Sequence, residues 1–221
     1  MCVKRYLEKS IWNLYFRLKG MGIMSFIPVF GLYGMIPILN VLAYYFKNDK
    51  NMLYDNIVRM SQYLIPLFSV WIILFILEHC IEEPMHELLY MNNRIKLWEL
   101  LLLYMGFCVL MIPLFVVYTR LFPELWWLYL KILVLNLFYL SSAYAVSYLF
   151  GKMIPAAVLV LYYTVYAVME STTGLTGTNL FPLEVYTELE FMQWMTGYLV
   201  LTMILLAVGV GFNYYYPERN R

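Results

Sequence analysis

The sequence predicts an all-α membrane protein, and its composition, hydropathy and segment lengths together indicate that class. The 221 residues are 63% hydrophobic and only 13% charged, with a mean hydropathy of +0.70. Soluble domains are about a quarter charged. A globule of this size could not bury so much apolar surface, so lipid must cover the remainder. The apolar residues also form runs long enough to cross a bilayer as helices. We therefore expect a single transmembrane domain over residues 1–221.

Six apolar segments are candidate transmembrane helices, because a bilayer-crossing helix needs about 20 mainly apolar residues. They are predicted at residues 21–46, 61–77, 100–118, 126–150, 153–169 and 194–216. Pro28, Gly31, Gly34 and Pro37 interrupt the first of them, which favours a kinked helix packed against its neighbours. The polar residues 47–60 are predicted to form a loop, and residues 170–193 a second polar connection.

Residues 1–20 are predicted to form a basic amphipathic helix lying in the membrane interface. They contain five Lys or Arg residues interleaved with apolar ones. An apolar face and attraction to anionic headgroups would hold such a helix at the surface.

The distribution of Lys and Arg predicts the orientation of the helices. Ten of these residues fall in the amino-terminal segment, the second and fourth loops and the carboxyl-terminal tail, and four fall on the opposite side. Both termini are therefore expected in the cytoplasm, with the protein in the plasma membrane. The net charge of +1 argues against a nucleic-acid partner.

The densest group of ionisable side chains lies between the second and third predicted spans. His79 and His86 flank Glu82 and Glu83, and on one continuous helix these four groups would share a face, as in a metal or proteolytic site. Pro84 would disturb that helix, and the H-E-x-x-H pattern is absent. A short cytoplasmic helix that starts near Pro84 with acidic residues in its first turn fits better. We expect no catalytic or metal site here, and an intramembrane metal-dependent protease is the alternative.

The same segment contains the pattern E-x-x-x-E-L-L followed by a basic residue, formed by Glu83, Glu87, Leu88, Leu89 and Arg94. Together with the basic interfacial helix and the six spans, this pattern resembles the permease subunits of ABC transporters of the type 2 exporter class. In that family the segment is a coupling helix that fits a cleft in the ATPase. The resemblance implies that the ATPase would contact Glu83, His86, Glu87, Leu88, Met91 and Arg94.

The resemblance implies a transport subunit of an ATP-driven exporter rather than an enzyme. The sequence has no G-x-x-x-x-G-K-[ST] loop. ATP and Mg²⁺ would therefore bind to a separate P-loop ATPase, and this chain would hold no cofactor. A second permease copy or a paralogue is expected, because six spans are few for enclosing a path. A non-catalytic immunity or binding protein of the membrane is the remaining alternative.

Polar residues inside the predicted spans are candidates for a translocation path or for helix packing. Lys131 lies about 9 Å into the fourth span, where its side chain is expected to extend to the outer interface. An ion pair between Lys131 and Glu170 is a more specific hypothesis. The sequence leaves both roles open for Asn40, Asn136, Ser141 and Ser142.

Overall fold

A computed structural model describes residues 11–12, 14–47, 49–82, 97–173 and 188–219, and all regular structure within these ranges is helical. A short helical segment over residues 14–20 precedes the longer helices. The first long element, α1, joins a 3-10 turn (Gly22–Phe26), a helical turn (Ile27–Phe30), a π-helical turn (Gly31–Met35) and an α-helix (Ile36–Lys47). The others are α2 (Lys50–Ile81), α3 (Leu97–Leu121), α4 (Leu125–Phe150), α5 (Ile154–Thr173) and α6 (Glu188–Arg219).

Five of these helices are long and apolar enough to cross a membrane: Gly22–Phe46, Lys50–Ile81, Leu97–Leu121, Leu125–Phe150 and Met192–Tyr215. The apolar part of α5 that fits this description is shorter, from Ile154 to Tyr166. The prediction of an all-α, multi-pass membrane protein is thus confirmed for the part of the chain that the structure describes.

The first helix departs from regular α-helical geometry where the sequence places Pro and Gly. Pro28 lies at the start of its short α-helical turn, and the π-helical turn begins at Gly31. A Cβ atom on Gly31 would lie 2.5 Å from the ring of Phe68 on α2. A larger residue at this position would therefore have to displace the Phe68 ring, which packs directly against the Gly31 backbone.

The prediction of a loop over residues 47–60 is wrong, because α2 begins at Lys50 rather than near residue 61. Asp49 has an extended backbone, and its side chain accepts a hydrogen bond from the backbone N–H of Asn51 at 2.9 Å. This is an N-cap contact, which satisfies one of the free N–H groups at the start of a helix. Ile57 and Val58 are buried, so the first turns of α2 also have an apolar face.

Helix α4 lies at the centre of the bundle and contacts α2, α3, α5 and α6. In the most apolar stretch of each helix, 72% is buried in α4 and only 17% in α6. Most of the surface of α6 is therefore available to lipid. Helices α4 and α6 lie close together at Gly209, where a Cβ atom would overlap the ring of Tyr144 and lie 3.2 Å from Cα of Ala145. Tyr144 also donates a hydrogen bond to Asn213 Oδ1 at 2.9 Å.

Candidate functional site

The predicted ATPase-contact residues Glu83, His86, Glu87, Leu88, Met91 and Arg94 lie outside the described residues. The structure describes both flanks of that segment, which are the end of α2 and the start of α3. Each flank carries a glutamate that contacts another element at the same end of the bundle. These two glutamates, Glu82 and Glu99, form the candidate site.

Glu82 connects the end of α2 to the turn between α4 and α5. Its Oε1 atom accepts a hydrogen bond from the backbone N–H of Met153 at 2.6 Å. Met153 directly precedes α5, so the carboxylate lies at a helix start, where free N–H groups and the helix dipole favour a negative charge. The turn is short because Gly151 adopts a left-handed conformation at the end of α4 (φ 65°). Glu82 therefore links the end of α2 to the turn between α4 and α5.

Glu99 connects the start of α3 to the amino-terminal helical segment. It is fully buried, and its Oε2 atom lies 3.1 Å from Nη1 of Arg17. The same Nη1 donates a hydrogen bond to Sγ of Cys80, near the end of α2, at 2.8 Å. Burial lowers the pKa of Arg17, but the nearby Cys80 and Glu99 raise it by more, so the guanidinium remains charged. Arg17 thus joins α2, α3 and the segment before α1.

This use of Arg17 was missed at the sequence level, where all five basic residues of the amino-terminal segment were assigned to lipid headgroups. Residues 14–20 of this segment also contact the helical bundle, since Leu14 and Leu18 pack against buried apolar residues of its core. Two sequence features could have predicted this contact. Arg17 lies at the edge of an apolar stripe, and Glu99 is an acidic residue in the first turn of α3.

The residues of the alternative metal site are only partly described. His79 and Glu82 line an open cavity of about 460 Å³ at this end of the bundle. The described ranges contain no group of three His, Cys, Asp or Glu side chains that could hold a metal ion. The other two candidate ligands, Glu83 and His86, lie outside those ranges.

Asn40 forms hydrogen bonds that join three helices. It is buried, and its Nδ2 atom donates to the hydroxyl of Tyr118 on α3 at 2.9 Å. Its Oδ1 atom accepts from Nδ2 of Asn56 on α2 at 2.8 Å. These contacts place Asn40 in helix packing among α1, α2 and α3.

Asn136 is fully buried near the middle of α4. Its Oδ1 atom accepts a hydrogen bond from Ser69 on α2 at 3.1 Å, and its Nδ2 atom lies 3.6 Å from Sδ of Met111 on α3. Ser141 and Ser142 both donate to the carbonyl of Phe138 in their own helix at 2.8 Å. Of the four predicted residues, only Ser142 also lines one of the cavities described below.

The expectation that Lys131 extends to the outer interface stays a prediction, and the structure shows that protein covers its side chain. Its side chain is 5% exposed, and its Nζ atom lies 5.3 Å from the ring centroid of Trp194 on α6. The face of an indole ring attracts a cation, which offsets part of the cost of burying the charge. The hypothesis of a pair with Glu170 concerns a side chain outside the described ones.

A cavity of about 370 Å³ lies beside Trp194, among α4, α5 and α6. It is lined by Phe138, Tyr163, Gln193, Trp194, Gly197, Tyr198 and Leu201. The hydroxyls of Tyr163 and Tyr198 are hydrogen-bonded to each other at 2.9 Å. A second, smaller space of about 30 Å³ shares Phe138 and Tyr163 and reaches Ser142. The sequence pattern alone did not predict this cavity.

The structure therefore has two places with features beyond simple helix packing. One is the polar cluster at the flanks of residues 83–96, and the other is the aromatic cavity, which Phe138 lines near the middle of α4. Comparison with known proteins found no matching family model, no similar curated protein and no similar solved structure.

Proposed function

We propose that this chain is the transmembrane permease subunit of an ATP-driven exporter, coupled to a separate ATPase through residues 83–96. The observation that carries the proposal is that both flanks of this segment contact other elements of the bundle. Glu82 binds the backbone N–H of Met153, and Glu99 binds Arg17. A partner that displaced the segment would therefore move the helix ends attached to it.

Transmission of such a movement requires stiff connections, because a flexible loop would absorb the displacement. The glutamate contacts form such connections on both sides. Glu82, at the end of α2, contacts the α4–α5 turn, and Glu99, at the start of α3, contacts Arg17. Helices α4 and α5 also line the aromatic cavity. ATP-driven closure of the partner would thus reach the cavity through helix shifts of the kind found in other switching proteins.

The proposal includes six membrane crossings, with α5 as the fifth. Helix α5 has 20 residues, which correspond to about 30 Å, the thickness of the hydrocarbon core. The short turn at Gly151 returns the chain into the membrane directly after α4. Six crossings put both termini on one side, which the Lys and Arg counts assign to the cytoplasm.

The partners in this proposal are a P-loop ATPase, which binds ATP and Mg²⁺, and a second permease copy or a paralogue. This chain would hold neither a metal nor another cofactor and would catalyse no reaction itself. Its role is to form the translocation path and to change shape when the ATPase closes. Membrane lipid surrounds the apolar faces of α1 and α6.

Reversing the charge of Glu83 and Glu87 to lysine is expected to abolish association with the ATPase. We would purify the tagged protein from its native membranes, identify a P-loop ATPase in the eluate by mass spectrometry, and measure ATP hydrolysis. The matched control is Asp55→Lys with Glu124→Lys, since both of these residues are exposed and lie at the opposite end of the bundle. The control should retain the ATPase at the unaltered level.

Retention of the ATPase by the Glu83→Lys, Glu87→Lys protein would count against the coupling role. An eluate without any ATPase but with stoichiometric zinc would favour the metal-dependent protease. An eluate with neither would favour an immunity or binding protein.

The orientation predicts opposite labelling of the two short turns at the ends of α4. In a Cys2→Ser background, a membrane-impermeant thiol reagent applied to intact cells should modify Glu124→Cys. It should modify Lys152→Cys only after permeabilisation. Both positions are exposed, and the native Cys80 and Cys108 are buried and should react little. Labelling of Lys152→Cys in intact cells would contradict a cytoplasmic α4–α5 turn and, with it, the coupling proposal.

A further inference from the structure

Two tyrosines lie on the outer surface of the bundle, near the middle of α5. Tyr162 is 70% exposed and Tyr166 is 41% exposed, and their rings stack with centroids 6.4 Å apart. The buried residues of α5 lie on the opposite side of the helix, so this face points away from the bundle. We call it the tyrosine face of α5, and its other exposed members are Val158, Val165 and Met169.

The hydroxyl of Tyr162 lies within the hydrocarbon of the membrane when α5 crosses it. Tyr162 is about 12 Å along the helix from Ile154, where α5 begins, and about 17 Å from Thr173, where it ends. Both distances exceed the length of a tyrosine side chain, so the hydroxyl cannot reach water. Lipid tails offer no hydrogen-bond acceptor, and tyrosines that face lipid are usually found at the membrane–water interfaces.

The exposed faces of the other described helices suit lipid better. In the middle of α3 and α6, the large exposed residues are Val, Leu, Ile or Met. Tyr33, which is exposed midway along α1, donates a hydrogen bond to the carbonyl of Leu110 on α3. Within the described part of the chain, Tyr162 and Tyr166 have only each other's rings as partners. The tyrosine face therefore needs hydrogen-bonding groups from outside this chain.

We propose that the tyrosine face of α5 binds the same face of a second copy of this chain, with the two Tyr162 hydroxyls hydrogen-bonded to each other. Two copies inserted in the same orientation are related by a two-fold axis along the membrane normal, so identical residues meet at the same depth. A tyrosine hydroxyl both donates and accepts a hydrogen bond, which makes this contact self-complementary. Tyr163 and Tyr198 form a pair of this kind within the chain, at 2.9 Å.

The proposal selects a second copy over a paralogue as the partner permease. The role of that copy as the other half of an exporter rests on the proposed function. The contact itself requires only that α5 crosses the membrane, because it follows from the exposed hydroxyls on that helix.

The test of the interface is disulfide cross-linking of the full-length protein in liposomes without the ATPase, in a Cys2→Ser background. Val165→Cys lies on the tyrosine face and leaves both tyrosines in place. Val109→Cys is its matched control, since Val109 is likewise an exposed valine, in the middle of α3. With a membrane-permeant oxidant, Val165→Cys should give at least tenfold more cross-linked dimer than Val109→Cys.

The yield for Val165→Cys should stay within twofold when the lipid-to-protein ratio is raised tenfold, because a specific dimer persists on dilution whereas random collisions become rarer. Equal yields for the two cysteines, or a yield that falls in proportion to dilution, would overturn the interface. So would cross-linking of Val165→Cys in native membranes to a different protein instead of a second copy, identified by mass spectrometry.

The contribution of the hydroxyl is measured by energy transfer between labelled copies as lipid is added. Tyr162→Phe keeps the ring but removes the hydroxyl, and it should weaken the dimer about three- to tenfold. Tyr215→Phe is the control, because Tyr215 is 64% exposed but lies near the end of α6, where water can reach it. It should stay within twofold of the unaltered protein, and equal dimerisation of the two variants would refute the hydroxyl pair.

The interface and the exporter function can fail separately. A Val165→Cys dimer from a protein that co-purifies with no ATPase would refute the exporter and support the contact. Co-purification of the ATPase with a protein that gives no such dimer would refute the contact and leave the exporter function in place.

Discussion

Replacement of Arg17 by methionine is expected to destabilise the folded protein by about 3–5 kcal/mol. The substitution preserves much of the side-chain volume but removes the positive charge beside Glu99, which is fully buried. Breaking a buried ion pair by removing one partner leaves a charge in a poorly solvated place, and this accounts for most of the cost. The measurement is the free energy of unfolding in a mild detergent or in bicelles.

Lys19→Met is the matched control, because Lys19 lies on the same helical segment and is exposed. It should change the free energy of unfolding by less than about 0.5 kcal/mol. Adding Glu99→Leu to Arg17→Met should recover part of the loss, since an apolar pair avoids the buried charge. If the two single substitutions instead proved additive in the double variant, Arg17 and Glu99 would not interact energetically.

The second large effect is expected at Gly209, where α4 and α6 lie close together. Gly209→Ala should cost about 1–3 kcal/mol, the usual penalty for overpacking a tight interface. The added methyl group would overlap the ring of Tyr144. Displacement of this ring would also disturb its hydrogen bond to Asn213, which is fully buried.

Gly211→Ala provides a control of opposite sign. Gly211 lies two residues further along the same helix, and a Cβ atom there would meet nothing within 4 Å. Alanine is favoured over glycine inside a helix by about 0.5–1 kcal/mol, so this variant should be neutral or slightly more stable. Thermal unfolding of both variants in the same detergent measures the contrast. Equal behaviour of the two would show that α4 and α6 do not meet at Gly209.

The helical membrane class was predictable from the sequence because it depends on composition and on the length of apolar runs. The start of α2 was not predictable in this way, because residues 50–60 are polar enough to suggest a loop. Helix formation there depends on a local cap at Asp49 and on burial of Ile57, and hydropathy averaged over a window reports neither.

The contacts of charged residues were harder to predict than the helices. The sequence singles out Lys131 as a charge inside a predicted span, but it does not show which surface Lys131, Arg17 or Glu99 meets. Arg17 and Glu99 are 82 positions apart, and only the assembled bundle brings them together. Lys131 likewise depends on Trp194, which belongs to a different helix. Tertiary arrangement therefore determines these roles, whereas the local pattern determines the helices.

The contact between the Trp194 ring and the Lys131 side chain has a consequence for biosynthesis. Ribosomes deliver helices to the membrane in chain order, so α4 is inserted before α6 has been made. During that interval the ammonium group lacks the indole ring that later lies over it, and the inner surface of α4 faces lipid or the insertion machinery. We therefore expect α4 to reach its final packing only after α6 has been made and Trp194 can cover Lys131.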